Sequence, residues 1–338
     1  MTGPLLEIRR LSTHYVSARG TRVTRAVDDV TLSLDQGQTL GIVGESGSGK
    51  TTLALTLLRM LPPAAKIVSG EIMFEGVDLM KKSESEMRRI RGKRIAMILQ
   101  DPMASLNPLF TVGDQVAEPI RVHEGAGRKN AWTRATDLLK AVRIAAPERR
   151  VREYPHQLSG GMRQRIVGAI GISCEPRLLI ADEPTTSLDL TIQAQYLNLL
   201  RELQRAHGLA LIFITHNLGI VAKMCDQLAV MYAGRVVESG PVRQIFNAPA
   251  HPYTQALLNS IPRMSDNRNR LAAIDGQPPD LVALPPGCAF APRCPSAFDR
   301  CRESPPSQLT FGDQRTVRCW LADAGSDAAD SQVRKGAA

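Results

Sequence analysis

The stretch Gly44–Thr51 reads GESGSGKT; it follows the apolar run TLGIV at 39–43 and precedes TLALTLLRM at 52–60. Three glycines among eight residues would make a weak packed element, because glycine loses the most conformational freedom when it is fixed. The order is G-x-x-x-x-G-K-[ST], placed after a buried strand and before a helix, where the pattern has mechanical meaning. Successive backbone N–H groups can turn inward around a phosphate, and the helix N-terminus adds partial positive charge. Lys50 is expected to reach the β and γ phosphates of a nucleotide, and the Thr51 hydroxyl to bind magnesium.

Outward from this loop, the chain alternates buried strands with helical stretches. TLGIV at 39–43, RIAMIL at 94–99, RLLIA at 177–181 and LALIFIT at 209–215 are continuous apolar runs of the kind that suit a sheet covered on both faces. Before them, LLEIRRLSTHYV and VDDVTLSLDQGQTL alternate and read as antiparallel strands. Between Asp101 and about Pro176 helical periodicity takes over in VGDQVAEPIRV, NAWTRATDLLKAV and GMRQRIVGAIGI, which predicts a helical insertion. A helix near LGIVAKM and a hairpin, QLAVMYAGRVVESG, with Ala233-Gly234 in its turn, come next. The proline-rich tract QPPDLVALPPG at 277–287 then leads to a short segment bearing cysteines.

Composition sets the wider limits. Hydrophobic residues make up 43% and charged residues 22% of 338 residues, the mixture of a folded chain with one large core and a smaller appendage. No run reaches the roughly 18 to 20 apolar residues that cross a bilayer, and MTGPLLEIRR lacks the apolar core of a secretory signal, so the expected compartment is the cytoplasm. The net charge of +9 permits nucleic acid, anionic lipid or phosphorylated ligands. The densest basic groups, RIRGKR at 89–94 and ERRVR at 148–152, are local and read as a solvated face.

Two further motifs bear on phosphate chemistry. RLLIADEP ends a buried strand in adjacent carboxylates, Asp182 and Glu183, which repel each other unless a cation or a reacting water stands nearby. Asp182 is placed to hold magnesium through water, and Glu183 to orient or deprotonate the attacking water. In LSGGMRQR at 158–165, Ser159, Gly160 and Gly161 precede a helix and form a second N-terminal anion nest without a lysine. On its own that triplet equally suits an ordinary helix cap.

The ordered set GESGSGKT, Gln100 in ILQDP, LSGGM, LLIADEP, SLD at 187–189 and His216 in FITHN resembles the nucleotide-binding subunit of ABC transporters over about residues 5–245. IVGESGSGKT, QDPMASLNP, YPHQLSGGMRQR, IADEPTTSLD and APAHPYTQALLNSIP resemble the oligopeptide and dipeptide importer branch, whose relatives also import nickel. The resemblance implies a P-loop NTPase (RecA-like) α/β core with an N-terminal antiparallel β subdomain, a helical insertion and a small cysteine-rich C-terminal extension. It implies an ATP cradle of Gly44, Glu45, Ser46, Gly47, Ser48, Gly49, Lys50, Thr51 and Thr52. Tyr15 is then a candidate to stack on adenine, although a lone tyrosine is as often ordinary packing.

The same resemblance implies two ATP-binding subunits, as a heterodimer or a homodimer, facing head to tail. ATP on the Lys50 loop is then covered by Ser159 and Gly161 of the partner subunit. Gln100 would contact magnesium and the attacking water, and DPMASLNP would touch the membrane partner. His216 would hold the γ-phosphate, and Asp189 would link the two sites. Asn217 stands where many relatives have aspartate, and Met162 where other branches have glutamine; neither change removes a group assigned to phosphate.

Cys288, Cys294, Cys301 and Cys319 follow C-x5-C-x6-C-x17-C, whereas Cys174 and Cys225 sit alone in apolar or helical surroundings. Four thiolates can bind zinc or an iron–sulfur cluster, and disulfides are disfavoured in a cytosolic chain. The spacing does not match a zinc ribbon, but spacing alone leaves cluster, zinc and no metal open. The resemblance implies a 4Fe-4S cluster.

The expected organisation is therefore an ABC nucleotide-binding domain at 1–250 with a helical insertion at about 101–176, an extension with a four-cysteine metal site at 251–325, and a disordered tail at 326–338. The expected activity is ATP hydrolysis with Mg2+ at the cytoplasmic face of the inner membrane. It would drive peptide uptake through two transmembrane permease subunits fed by an extracytoplasmic solute-binding protein, with nickel or another small solute as an alternative cargo. One rival is a soluble ABC ATPase acting on nucleic acid or ribosomes; such proteins carry two cassettes or a long insertion, and nucleic acid is not expected as a partner here. A second rival, a regulatory subunit that binds ATP without turnover, is opposed by the intact Glu183 and His216.

Overall fold

The computed structural model describes residues 3–186, 188–261, 274–311 and 315–323. The expected disordered tail at 326–338, and Ser187 of the SLD triplet, lie outside the described residues. The chain divides into two compact units: Met1–Leu6 with Leu34–Thr39 and Met73–Ile214, and Glu7–Ser33 with Leu40–Ile72 and Thr215–Ala338.

The first unit is built on three parallel strands, Ile95–Ile98, Leu178–Asp182 and Ala210–Ile214, with Ile95 opposite Leu178 and Leu178 opposite Ala210. Every residue of the second and third strands is buried, which is why they read as unbroken apolar runs rather than alternating ones. The helices Val112–Glu124, Arg128–Ala141 and Gly160–Ile172 fall between the first two strands. Val112, Val116 and Ile120 form a buried stripe at four-residue spacing on one helix, and Ala131, Ala135 and Leu139 do so on the next. Helical geometry sets such residues on one face, and these two helices pack together. Each buried valine or isoleucine there contributes roughly 1.5–3 kcal/mol. Leu190–His207 buries Tyr196, Leu199, Leu200 and Leu203, and ends at Gly208 in the left-handed region, φ 59°.

The second unit carries an antiparallel β subdomain in which Leu6–Val16 lies between Val23–Leu34 and Ala65–Phe74. Its other sheet starts from Thr39–Val43, parallel to Gln227–Tyr232. Gln227–Tyr232 turns through Ala233 (φ 47°) and Gly234 (φ 82°) into Arg235–Pro241, the positive pair that a tight hairpin turn requires. Arg315–Val317 pairs with Arg235–Pro241, and Leu309–Phe311 with Arg315–Val317. The sequence reading named neither of these short strands, nor Ala65–Phe74.

The extension is tied to the hairpin through aromatic rings. Tyr232, Tyr253 and Phe290 are fully buried. Their centroids lie 4.5 Å apart for Tyr232–Tyr253 and 5.3 Å for each pair with Phe290, in tilted or edge-on contacts that suit ring quadrupoles. Among the described residues, no helix is long and apolar enough to cross a membrane.

Candidate functional site

In the second unit, the loop 44–51 closes on its own lysine. Lys50 Nζ donates to Gly44 O and Glu45 O, both at 2.8 Å, and to Ser48 Oγ at 3.2 Å. A buried ammonium is tolerated because it finds oxygen acceptors, and phosphate oxygens offer the same chemistry. The glycines are required by close approach. A Cβ on Gly44 would lie 2.2 Å from Met231 O, and one on Gly49 would lie 2.0 Å from Ala26 O. Gly49, at φ 101°, also precedes the first turn of the helix Lys50–Leu57, which has no acidic residue in that turn. Its N-terminus therefore keeps its favourable field for an anion. The far side of the loop is fixed by the hairpin, where Gly234 N–H donates to Ser48 O at 3.1 Å.

Neighbouring groups hold the helix in place. Thr56 Oγ1 donates to Thr52 O at 2.7 Å and pairs with Thr13 Oγ1 at 3.0 Å, while Tyr15 Oη lies 3.4 Å from Thr52 Oγ1. Tyr15 is thus set against the helix that starts at the loop. His216 is exposed between two anchored residues. Thr215 N–H donates to Ile42 O at 3.2 Å, and Asn217 Oδ1 caps Leu218–Met224 by accepting from Gly219 and Ile220 N–H. Asn217, at the position where the resemblance implies aspartate in many relatives, therefore works as a helix cap.

In the first unit, Asp182 ends its strand and is buried, and Glu183 follows with φ 46°. That left-handed backbone costs a non-glycine residue about 1 kcal/mol or more, and is of the kind that concentrates at functional sites. Glu183 N–H donates to Ile214 O at 2.9 Å, which anchors the turn. Glu183 Oε2 accepts from Gln100 Nε2 and from Thr186 Oγ1, each at 3.0 Å. Gln100 and Glu183, 83 residues apart in sequence, are thus brought into direct contact.

Ser159 caps Gly160–Ile172 by accepting from Met162 N–H at 3.4 Å, and both Ser159 and Gly160 are exposed. Nothing lies within 4 Å of the Cβ position of Gly160, so this face is open. Asp189 caps Leu190–His207, accepting from Thr191 and Ile192 N–H at 3.1 and 3.0 Å. Near Gln100, Met103, Leu109 and Phe110 are exposed at 56%, 80% and 53%. Asp101 holds the start of that segment by accepting from Met103 N–H at 2.7 Å.

The four-cysteine metal site expected from the sequence is not formed. Among the described residues, no group of three or more His, Cys, Asp and Glu side chains is placed to hold a metal ion. Cys301 and Cys319 are buried, and Cys288 and Cys294 partly so. Burial raises the thiol pKa of Cys288 and Cys294, and pushes that of Cys319 up to about 11. Burial thus favours the neutral thiol at these three positions, whereas a metal ligand is a thiolate. The sulfurs do share surroundings. Backbone N–H groups of Phe290 and Ala291 approach Cys288, that of Ser296 approaches Cys294, and those of Leu321 and Ala322 approach Cys319.

Sequence reading also missed two residues beside the loop. Tyr253 Oη accepts the Glu45 N–H at 2.9 Å, and Arg293 forms an ion pair with the Glu45 carboxylate at 2.7 Å. Tyr253 was visible as part of HPYT; nothing in sequence marked Arg293 beyond its place before Cys294.

The glycine-walled phosphate loop of the second unit and, in the first, a carboxylate just after a strand held by a glutamine are each features of an ATP-binding cassette. Residues 27–186 match the family model described as ABC transporter, and residues 237–301 the one described as Oligopeptide/dipeptide transporter, C-terminal region. A probable peptide ABC transporter ATP-binding protein of Sinorhizobium fredii is 49% identical, over 94% of this chain and 95% of its own length. The dipeptide transport ATP-binding proteins DppD of Bacillus subtilis and of Escherichia coli are 48% and 47% identical. Those alignments cover 94% and 95% of this chain, and 95% and 98% of theirs. A dimeric ATP-binding cassette solved in a post-hydrolysis state with ADP and Pi superposes with a TM-score of 0.63 at 25% identity, over 70% of this chain and 99% of that one. The cbiO1 subunit of Clostridium perfringens gives 0.62 at 28% identity, over 72% and 91%. The chain belongs to the ATP-binding subunits of the ABC transporter family, in the group that carries the oligopeptide/dipeptide transporter C-terminal region.

Proposed function

We propose that this protein is the ATP-hydrolysing subunit of an importer of dipeptides or oligopeptides, working at the cytoplasmic face of the membrane with two permease subunits. The observation that carries the reading is one chain holding both the Lys50 phosphate loop and the C-terminal region of peptide transporters. The names of the relatives in Bacillus subtilis and Escherichia coli support dipeptides as cargo. The exposed Met103, Leu109 and Phe110 support a docking role for the segment after Gln100, since apolar groups in water favour a partner surface. An extracytoplasmic binding protein delivers the solute.

In this reading ATP lies on Gly44, Glu45, Ser46, Gly47, Ser48, Gly49, Lys50, Thr51 and Thr52, with Tyr15 against the base. Thr51, Gln100 and Asp182 hold magnesium, an assignment that suits a hydroxyl in a helix's first turn and a buried strand-end carboxylate. Magnesium supplies charge neutralisation of the β and γ phosphates. Glu183 accepts the proton of the attacking water as its oxygen bonds to the γ-phosphorus and the bond to the β-phosphate oxygen breaks. The contact from Gln100 Nε2 holds the carboxylate in one orientation for that step. His216 donates to the γ-phosphate. Ser159, Gly160 and Gly161 cap the nucleotide on a second ATP-binding subunit, and Asp189, by fixing the start of its helix, supports the facing surface. Domain limits of 1–250 and 251–325 follow the same reading.

For the four cysteines the proposal is narrower: Cys288, Cys294, Cys301 and Cys319 take up a 4Fe-4S cluster during assembly. Its support is the set of N–H groups approaching three of the sulfurs, an arrangement that favours thiolate when a cation is present. Glu183→Gln tests the catalytic reading. ATP binding should be kept, while hydrolysis in the permease-bound complex falls by ~10² or more, as for loss of a general base. Full turnover in that variant would remove Glu183 from the role.

A further inference from the structure

Glu45 introduces a problem that the motif does not explain. A carboxylate inside a loop made for anions repels the polyphosphate it must admit. The second unit answers it with Arg293. Nη1 donates to Glu45 Oε2 at 2.7 Å and Nη2 to Oε1 at 2.9 Å, a two-pronged pair. The remaining guanidinium hydrogens are used as well. Nε donates to Asp275 O at 2.9 Å, Nη1 to Tyr232 Oη at 3.2 Å and Nη2 to Ile274 O at 3.2 Å. A guanidinium has five N–H donors, so this one is fully satisfied.

The anchor is rigid for further reasons. The Arg293 side chain is only 4% exposed, and its central carbon lies 5.8 Å from the Tyr232 ring centroid and 5.9 Å from that of Phe290. These are the rings that pack against Tyr253, whose hydroxyl takes the Glu45 N–H at 2.9 Å. Both the charge and the backbone of Glu45 are thus governed from beyond residue 250. A simple structural tie would need neither a two-pronged match nor a second grip on the amide of the same residue.

We propose that Arg293 is a positioning residue for nucleotide binding: it cancels the charge of Glu45 and, with Tyr253, fixes the phosphate loop, so that ATP affinity depends on the C-terminal region. The proposal rests on ATP occupying the 44–51 loop. Arg293 touches no substrate in this scheme; it acts through Glu45.

The test is equilibrium binding of a fluorescent ATP analogue with Mg2+ to the full chain. Arg293→Gln should raise Kd about tenfold, the scale of one uncompensated charge near a bound anion, and more so at low salt. Adding Glu45→Gln should return Kd to within about threefold of wild type, because the exposed charge is gone. Tyr253→Phe keeps the ring and should raise Kd about threefold, the scale of one neutral hydrogen bond; it carries the test if Arg293→Gln does not fold. A purely structural tie would lower the melting temperature, leave Kd of the folded fraction unchanged and give no recovery in the double variant. That pattern, with Lys50→Ala still abolishing binding, overturns the proposal and leaves the nucleotide reading standing. Undiminished binding in Lys50→Ala would overturn both.

Discussion

Replacing Gly49 by alanine tests whether the phosphate loop is shaped by its surroundings or only by its own sequence. At this position φ is 101°, which an L side chain rarely adopts, and the new methyl would sit 2.0 Å from Ala26 O. The two penalties add. Holding an alanine at that φ costs about 1–3 kcal/mol, and forcing a methyl into occupied space about 1–3 kcal/mol more. The obstructing atom is backbone, so it cannot swing aside as a side chain would. Gly47→Ala is the control, since φ is 77° but nothing lies within 4 Å. It bears only the first penalty. Thermal unfolding followed by circular dichroism, with and without Mg-ATP, should show Gly49→Ala melting roughly 2–12 °C below Gly47→Ala, at about 2–4 °C per kcal/mol for a large domain. Binding of the nucleotide should be weakened in the same order. Equal melting temperatures for the two variants would show that the contact with Ala26 does not shape the loop.

His251 supplies a pH test. Burial pushes its pKa down to about 3, and its Nδ1 accepts the Tyr253 N–H at 3.0 Å while its backbone N–H donates to the buried Glu238 carboxylate at 3.0 Å. The unfolded chain takes up a proton near pH 6.5 and the folded chain does not until about pH 3, so stability falls as pH falls through that window. Between pH 7 and 5 the loss from this residue is about 2 kcal/mol, and the urea midpoint of His251→Asn should lack that part of the acid sensitivity. For the cysteines, protein purified without oxygen should contain iron and labile sulfide, and a Cys301→Ser variant should not. A sample holding neither would leave the four thiols as buried packing groups.

The parallel strands were legible in the sequence because burial on both faces produces unbroken apolar runs. TLGIV matches Thr39–Val43 in full, and RLLIA and LALIFIT overlap Leu178–Asp182 and Ala210–Ile214 to within a residue at each end. The hairpin at Ala233-Gly234 was legible from its turn residues. The strands that escaped notice carry weak periodic signals. Arg315–Val317 and Leu309–Phe311 are short and partly polar, and they exist because the edge of Arg235–Pro241 offers them hydrogen bonds.

Within the site, Lys50, Glu183 and Ser159 could be picked out because each sits in a local motif whose spacing has a mechanical reason. Their partners could not be read in the same way. Arg293 meets Glu45 across 248 residues, and Gln100 meets Glu183 across 83, pairings that only the folded chain creates. The cysteine spacing was legible too, but spacing says nothing of protonation. Burial favours the neutral thiol of Cys319, which the spacing alone does not reveal.

The pairing of Arg315–Val317 along Arg235–Pro241 has a practical consequence for anyone shortening the chain. Cutting it back to the end of the cassette would strip a ladder of amides bare and leave a sticky rim open to other molecules. Leu309–Phe311, now outermost, spans three residues, too brief a template to recruit a stranger. A soluble truncation should therefore retain the chain through Trp320, whose indole N–H is already engaged by Ser304 O.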